Sequence, residues 1–147
     1  MEKICSFFGH REVFKDLSEA LEQAINEAIS AYGITTFYVG GHGEFDKQAA
    51  RAVRAAKRNY PQIKLVLILP YFTNKLNAYK EDYESYYDNI IIPIELADVH
   101  PKSAITKRNR WMVDESKVII CYIQRDFGGA FDAVNYASKK VRIVIKI

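Results

Sequence analysis

Short apolar runs alternate with amphipathic stretches along the whole chain of 147 residues. The apolar runs, rich in β-branched and aromatic residues, cover 4–8, 35–39, 64–69, 90–92, 118–123 and 141–147. Apolar residues at helical spacing predict helices over 14–31, after a cap at Asp46, over 104–115 and over 130–140. This alternation is typical of a mostly parallel sheet flanked by helices on both faces, so the sequence predicts an α/β, Rossmann-like fold.

One segment departs from the alternation. Residues 70–89 carry five tyrosines among charged residues, and they predict a loop with a short helix. These rings suit either stacking on a planar base or packing beneath a loop, and the sequence leaves both open. No repeat, linker or low-complexity stretch divides the chain, so we predict a single domain over 1–147.

The composition limits the classes of partner. Lys and Arg total 21 against 18 Asp and Glu, and a net charge of +3 is too balanced to indicate nucleic acid. No uninterrupted apolar stretch reaches the ~18 residues of a membrane span, and the first residues lack a signal-peptide pattern. Cys5 and Cys121 lie in predicted strands and suit buried, reduced thiols. We therefore expect a cytoplasmic protein with no membrane partner.

Two glycine clusters stand where predicted strands end and predicted helices begin. One comprises Gly40, Gly41 and Gly43, and the other comprises Gly128 and Gly129. Glycine permits positive φ and a close approach of backbone N–H groups to a ligand, and the following helix directs its positive end to the same place. The clusters predict a pocket for an anionic, phosphate-bearing molecule, and we expect a Cβ at Gly41 to intrude on it. A tight turn that needs positive φ is the alternative.

Four segments are expected to converge at the carboxyl ends of the strands, where ligands bind in such sheets. The candidate ligand-binding residues of these segments are Gly9, His10, Arg11, Gly40, Gly41, His42, Gly43, Glu44, Pro70, Tyr71, Gly128 and Gly129. Among them Arg11 offers bidentate hydrogen bonding to phosphate or carboxylate.

A basic cluster at 106–111 adds a fifth candidate segment. On a helix, Lys107, Arg110 and Trp111 occupy neighbouring faces and Arg108 is turned away from them. Either Arg108 or Arg110 is expected to reach the pocket, and the spacing alone does not choose between them. A solvated helix face is the alternative.

Three carboxylates are candidates for acid or base chemistry, namely Glu44, Asp46 and Asp132. In a glycine-rich turn, Glu44 and Asp46 equally suit hydrogen bonds from sugar hydroxyls or a helix cap. The three histidines have no metal-ligand spacing, so we expect neither a metal nor a cofactor.

With these residues placed, the chain resembles the SLOG superfamily, which joins the Smf/DprA and LOG (lonely-guy) Rossmann-like domains. It is most similar to the small single-domain SLOG proteins of bacteria and their phages. The matching stretches lie at 8–11, 40–46, 69–71, 107–114 and 128–130.

The resemblance implies a nucleotide or nucleotide-derived small-molecule ligand. LOG enzymes hydrolyse the N-glycosidic bond of nucleoside monophosphates with a glutamate after a Pro-Gly-Gly-x-Gly-Thr signature. The corresponding stretch here, 127–133, lacks the proline and the threonine. The glutamate position falls near Ala133, and Asp132 is displaced from it by one residue.

We therefore expect binding of a nucleotide-derived ligand for sensing, sequestration or processing. The first alternative is an N-glycosidase or phosphoribohydrolase acting on a nucleoside monophosphate, with one of the three candidate carboxylates as acid or base. The second is a single-stranded DNA-binding module, as in the Smf/DprA proteins, but the charge balance makes a nucleic-acid partner unexpected. A homodimer or higher homo-oligomer stays open.

Overall fold

The described residues form one sheet of six parallel strands, which lie side by side in the order 4-3-2-1-5-6 when numbered along the chain. The computed structural model describes residues 2–140 and 142–147. Its strands are β1 (Ile4–Gly9), β2 (Thr36–Val39), β3 (Lys64–Ile68), β4 (Asn89–Ile91), β5 (Val118–Tyr122) and β6 (Ile143–Lys146). Its helices are α1 (Ser18–Tyr32), α2 (Gly43–Ala56), α3 (Asn74–Ala78), α4 (Lys80–Tyr86), α5 (Pro101–Glu115) and α6 (Gly129–Lys139), with a 3₁₀ turn at Ile94–Leu96. The predicted Rossmann-like α/β fold is confirmed.

The side chains of β1 show how the sheet is buried on both faces. Alternate residues of a strand point to opposite faces, so Phe7 joins the apolar layer under α1 and α2, whereas Phe8 joins the layer under α5 and α6. Both rings are almost fully buried. The continuous apolar sequence of this strand therefore reflects a sheet covered by helices on each side.

Helix starts differ from the predicted ones. Helix α1 begins at Ser18 rather than 14, because the backbone N–H of Leu17 donates to Gln48 Oε1 of α2 at 2.7 Å and holds the preceding loop outside the helix. Helix α2 begins at Gly43 with His42 as its N-cap, so the predicted cap at Asp46 is wrong. Helix α5 begins at Pro101, where a proline at N1 needs no N–H partner.

The structure also differs from the prediction in the last strand and in the tyrosine-rich segment 70–89. Strand β6 spans Ile143–Lys146, and residue 141, the predicted start of that strand, lies outside the described residues. The segment 70–89 forms two short helices, α3 and α4, in place of one. Among the described residues, no helix combines the length and the apolar character needed to cross a membrane.

Candidate ligand-binding pocket

A cavity of about 290 Å³ opens at the carboxyl ends of β1 and β2. Strand β1 lies between β2 and β5, so the strand order reverses beside it, and this reversal separates the loops and leaves a crevice. The end of β1 and its loop, the β2–α2 turn, α5 and the start of α6 supply the lining. The lining residues are Phe7, Phe8, Gly9, His10, Arg11, Gly40, His42, Asp46, Ile105, Arg108, Asn109, Met112, Arg125, Gly129 and Ala130.

Arg108 is the central cation of this pocket and is only 3% exposed. Its Nη1 donates to the carbonyl oxygens of Gly40 at 3.0 Å and Ile68 at 2.9 Å, and its Nε donates to Asn109 Oδ1 at 2.9 Å. Within the described residues, Nη2 donates to no protein acceptor, and its two N–H groups are free for a ligand. Burial lowers the pKa of Arg108 to about 10, so the group stays charged at neutral pH.

Gly40 makes room for this guanidinium. A Cβ built on Gly40 would lie 3.1 Å from Arg108 Cζ, closer than ordinary packing allows. The absence of a side chain at Gly40 therefore lets the Arg108 guanidinium pack against the backbone of the turn.

Asp46 is the carboxylate that lines the pocket. It lies in the first turn of α2 and its Oδ2 accepts the backbone N–H of His42 at 2.9 Å. Burial raises the pKa of Asp46 to about 6, although this hydrogen bond and the nearby Arg108 charge act in the opposite direction. Asp46 is thus mainly ionised at pH 7 and protonates in mildly acidic solution.

Two histidines line the pocket in their neutral form. His10 is buried, and its Nε2 accepts the backbone N–H of Gln124 at 2.8 Å. An accepting Nε2 carries no proton, so neutral His10 presents an N–H at Nδ1. Burial, assisted by the Arg125 charge, lowers the pKa of His10.

His42 has an unpartnered ring nitrogen. Its Nδ1 is buried and has no hydrogen-bond partner within the described residues. Burial, followed by the charges of Arg108 and Arg11, lowers the pKa of this imidazole. Three guanidinium groups therefore face one carboxylate in a pocket with neutral histidines, an arrangement that attracts anions.

The structure brings together about half of the residues that the sequence predicted. The pocket is lined by the predicted residues Gly9, His10, Arg11, Gly40, His42, Asp46, Arg108 and Gly129. The predicted residues outside its lining are Gly41, Gly43, Glu44, Pro70, Tyr71, Arg110, Gly128 and Asp132.

Gly41 and Gly43 have structural roles at the turn before α2. Their φ angles are +73° and +88°, a region that side chains rarely adopt. A Cβ at Gly41 would lie 2.7 Å from Leu67 Cδ1, and one at Gly43 would lie 2.4 Å from Arg11 Cα. A side chain at Gly41 would thus meet the core residue Leu67, and the expectation that it would also collide with a ligand stays a prediction.

The choice between the two arginines of α5 follows from the rotation of the helix. Arg108, turned away from its basic neighbours, points to the sheet, whereas the Arg110 guanidinium lies 5.2 Å from the Tyr136 ring centroid. Arg110 and Asp132 line a separate small cavity of about 20 Å³.

Sequence reasoning missed two polar residues of the lining, Asn109 and Arg125. Arg125 lies in the loop that follows β5, as Arg11 lies in the loop that follows β1, so the rule that selected Arg11 would also have selected it. Asn109 had no comparable signal, because its position depends on Arg108. Within residues 2–140 and 142–147, no three His, Cys, Asp or Glu side chains are grouped to hold a metal ion.

Comparison with known proteins agrees with this architecture. The model of the YspA SLOG family matches residues 3–142. The chain belongs to this family. This SLOG chain is 26% identical over 139 residues to the uncharacterized SPbeta prophage-derived protein YoqJ of Bacillus subtilis strain 168, covering 84% of the chain and 81% of YoqJ. The predicted SLOG resemblance is thereby confirmed.

Solved structures share the fold of this SLOG chain at low sequence identity. DNA processing protein A (DprA) of Streptococcus pneumoniae superposes with a TM-score of 0.68 and 18% identity, over 99% of the chain and 50% of DprA. DprA of Helicobacter pylori superposes with a TM-score of 0.63 and 17% identity, over 98% of the chain and 64% of that protein. The molybdenum cofactor carrier protein of Chlamydomonas reinhardtii superposes with a TM-score of 0.56 and 13% identity, over 99% of the chain and 76% of that protein. The chain thus spans only half to two thirds of the two DprA chains.

Proposed function

We propose that this SLOG chain binds a nucleotide or nucleotide-derived ligand in the pocket at the carboxyl ends of the strands. The observation that carries the proposal is Arg108, a buried arginine whose Nη2 has no acceptor within the described residues and which lines a cavity. Nη2 is open to the cavity, where an anionic ligand oxygen would accept charge-assisted hydrogen bonds from its N–H groups.

The rest of the pocket suits the parts of a nucleotide. Arg11 and Arg125 are exposed at the cavity and free to contact phosphate oxygens, while Gly129 begins α6, whose positive end favours an anion. His10 Nδ1–H is a neutral donor, and Asp46 is an acceptor for a sugar hydroxyl.

The comparisons support the ligand class in general terms. The SLOG resemblance implies nucleotide-derived ligands, and the H. pylori neighbour is described by its single-stranded DNA binding mode. The C. reinhardtii neighbour is described as a carrier of the molybdenum cofactor. The first of these neighbours holds a polymeric ligand and the second a small one, and neither description names the ligand of this chain.

Calorimetry with a panel of nucleoside mono-, di- and triphosphates tests the proposal. We expect at least one nucleotide to bind, and Arg125→Gln to weaken its binding by about 1.5–3 kcal/mol, the range for a charge-assisted hydrogen bond. Arg110→Gln is the matched control, because Arg110 lies on α5 outside the pocket. Absence of binding across the panel, or equal effects of the two variants, would contradict the proposal.

One observation favours the hydrolase as a second candidate. Asp46 combines a position in the pocket with a pKa raised to about 6, which suits an acid or base near neutral pH. Its carboxylate also accepts the backbone N–H of His42, the N-cap of α2, and so suits a structural acceptor equally. We therefore expect base release from AMP, GMP, CMP and UMP to be slow or absent.

Chromatography of free base decides between binding and turnover. Turnover that disappears in Asp46→Asn would favour the hydrolase. Glu44→Gln and Asp132→Asn are matched controls, because both carboxylates lie outside the pocket lining.

A further inference from the structure

The phenylalanines and His10 of the pocket lining offer no exposed ring face to a planar base. The aromatic lining residues Phe7 and Phe8 are 1% and 5% exposed, because their rings belong to the two apolar layers of the sheet. His10 is 6% exposed. The remaining polar lining suits phosphate and sugar oxygens, so a base needs a surface beside the cavity.

Phe127 provides such a surface in the loop between β5 and α6. Its side chain is 62% exposed, and it stands between two lining residues, Arg125 and Gly129. The Arg125 guanidinium lies over the ring, with Cζ 4.8 Å from the ring centroid. A cation over one face leaves the other face of the ring for a ligand.

The loop that carries Phe127 is fixed at both ends. At its start, the backbone N–H of Gln124 donates to His10 Nε2 at 2.8 Å. At its end, Gly128 has a φ of +99° and its carbonyl accepts the backbone N–H of Asp132 at 3.0 Å. Because these contacts fix the loop before a ligand arrives, the exposed ring costs little ordering entropy on binding.

Other exposed aromatic rings of the described residues have no cation of the pocket lining over their face, although Tyr71 lies close enough to Arg108 to raise its pKa. The described residues with such rings are Phe14, Tyr71, Phe72, Tyr79 and Phe127. Phe14 is 93% exposed in the β1–α1 loop and has no cation over its ring within the described residues. Of these rings, only Phe127 is stacked by a residue that lines the cavity.

We propose that Phe127 is the base-recognition residue of the site, and that the ligand is a nucleoside phosphate whose base stacks on the ring face opposite Arg125. This inference rests on the proposed nucleotide-binding function. It assigns the phosphate and sugar to the pocket and the base to the outside of the cavity. A purine has a larger ring face than a pyrimidine, so purine nucleotides are expected to bind more tightly.

Calorimetry with AMP, GMP, CMP, UMP and ribose 5-phosphate separates the two parts of the site. We expect wild type to bind AMP or GMP more tightly than CMP or UMP, and ribose 5-phosphate most weakly. Phe127→Ala should weaken purine binding about tenfold, within the range of base–aromatic stacking, and leave ribose 5-phosphate unchanged. Phe127→Tyr should retain the wild-type affinity.

Phe14→Ala is the matched control and should bind all five probes as wild type does. Wild-type affinities equal for AMP and ribose 5-phosphate would overturn the stacking while leaving the phosphate site intact. A Phe127→Ala variant that binds AMP as wild type does, or weakens AMP and ribose 5-phosphate equally, would also overturn it. Failure of all five probes to bind wild type would instead count against the proposed function, on which the stacking rests.

Discussion

Gly9 and Phe45 illustrate how a single residue can be fixed by packing rather than by a ligand. A Cβ built on Gly9 would lie 2.1 Å from Phe45 Cγ, and Phe45 is fully buried. The ring of Phe45 is also stacked on Tyr122, with centroids 6.4 Å apart, so it has little space to move. The glycine at the end of β1 is therefore required by the core beneath the pocket.

Gly9→Ala should destabilise the protein by about 1–3 kcal/mol, the usual cost of an inserted methyl group in a packed core. Urea denaturation measures this change. Gly129→Ala is the control, because a Cβ there would lie 3.9 Å from Asn109 Nδ2 in ordinary contact. Similar stability of the two variants would show that Phe45 yields to the methyl group.

His10 should make stability depend on pH. Burial and the Arg125 charge lower its pKa below the ordinary value of 6.5, so the unfolded state binds the proton more readily. The stabilisation is complete above pH 6.5 and is lost as the pH falls through that value to the folded pKa. Protonation also removes the acceptor for Gln124 N–H.

Urea denaturation at pH 7.5 and pH 5.5 tests this dependence. His42 acts in the same direction as His10, whereas Asp46, whose pKa is raised, gains stability for the folded state on acidification, and both act equally in wild type and in the variant. We therefore expect the change in stability from pH 7.5 to pH 5.5 to be less favourable in wild type than in His10→Gln, which does not titrate at this position. An identical change in both proteins would contradict the role of His10.

At the scale of elements, Arg108 connects α5 to the ends of two strands. Its Nη1 hydrogen bonds reach the carbonyl of Ile68 at the end of β3 and that of Gly40 just after β2. Ile68 is the last residue of β3 paired with β4, and Gly40 lies just beyond the paired residues of β2. An arginine from the covering helix donates to both carbonyls. The same side chain therefore holds the architecture and presents Nη2 to the pocket.

Arg108→Met should lower stability by about 2–3 kcal/mol, because it removes hydrogen bonds from a charged group and leaves two carbonyls with fewer partners. Arg110→Met removes only the contact with Tyr136 and should cost less than about 1 kcal/mol. Thermal or urea unfolding of both variants makes the comparison. Equal costs would mean that α5 is held by its apolar residues alone.

The elements also show what sequence could and could not predict. Strands such as β1 and β5 were predicted to within a residue, because their apolar runs are bounded by glycine or polar residues. The start of α1 was not predicted correctly, because Gln48 of α2 accepts the backbone N–H of Leu17 in the loop before the helix. Strand-end position predicted His10 as a pocket residue, whereas selecting Arg108 required the rotation of α5 about its axis, which is set by packing.

For the whole molecule, the sheet order predicts a gradient of local stability. Strands β1, β2 and β5 each pair on both sides and lie under helices, whereas β4 and β6 are edge strands that pair on one side. The residues of β4 and β6 are half-buried or exposed, and those of β2 are buried. Opening of the edges therefore exposes less apolar surface than opening of the centre.

Hydrogen exchange followed by mass spectrometry should find the slowest amides in β1, β2 and β5 and the fastest strand amides in β4 and β6. Exchange under native conditions in dilute buffer is sufficient for this comparison. Protection of β4 equal to that of β1 would indicate that the edge is covered by a partner. A sample diluted tenfold would then lose that protection.

The pairing of β1 with β5 has a consequence for folding during translation. Cys5 lies opposite Val118, so the centre of the sheet joins residues from nearly opposite ends of the chain. At about 5–20 residues per second, a ribosome needs several seconds or more between making these two strands. During that interval β1 has β2 as a neighbour but lacks β5, and the pocket lacks Arg108 until late in the interval and Arg125 until after it. A nascent chain therefore completes this pocket only after β5 and Arg125 have been made.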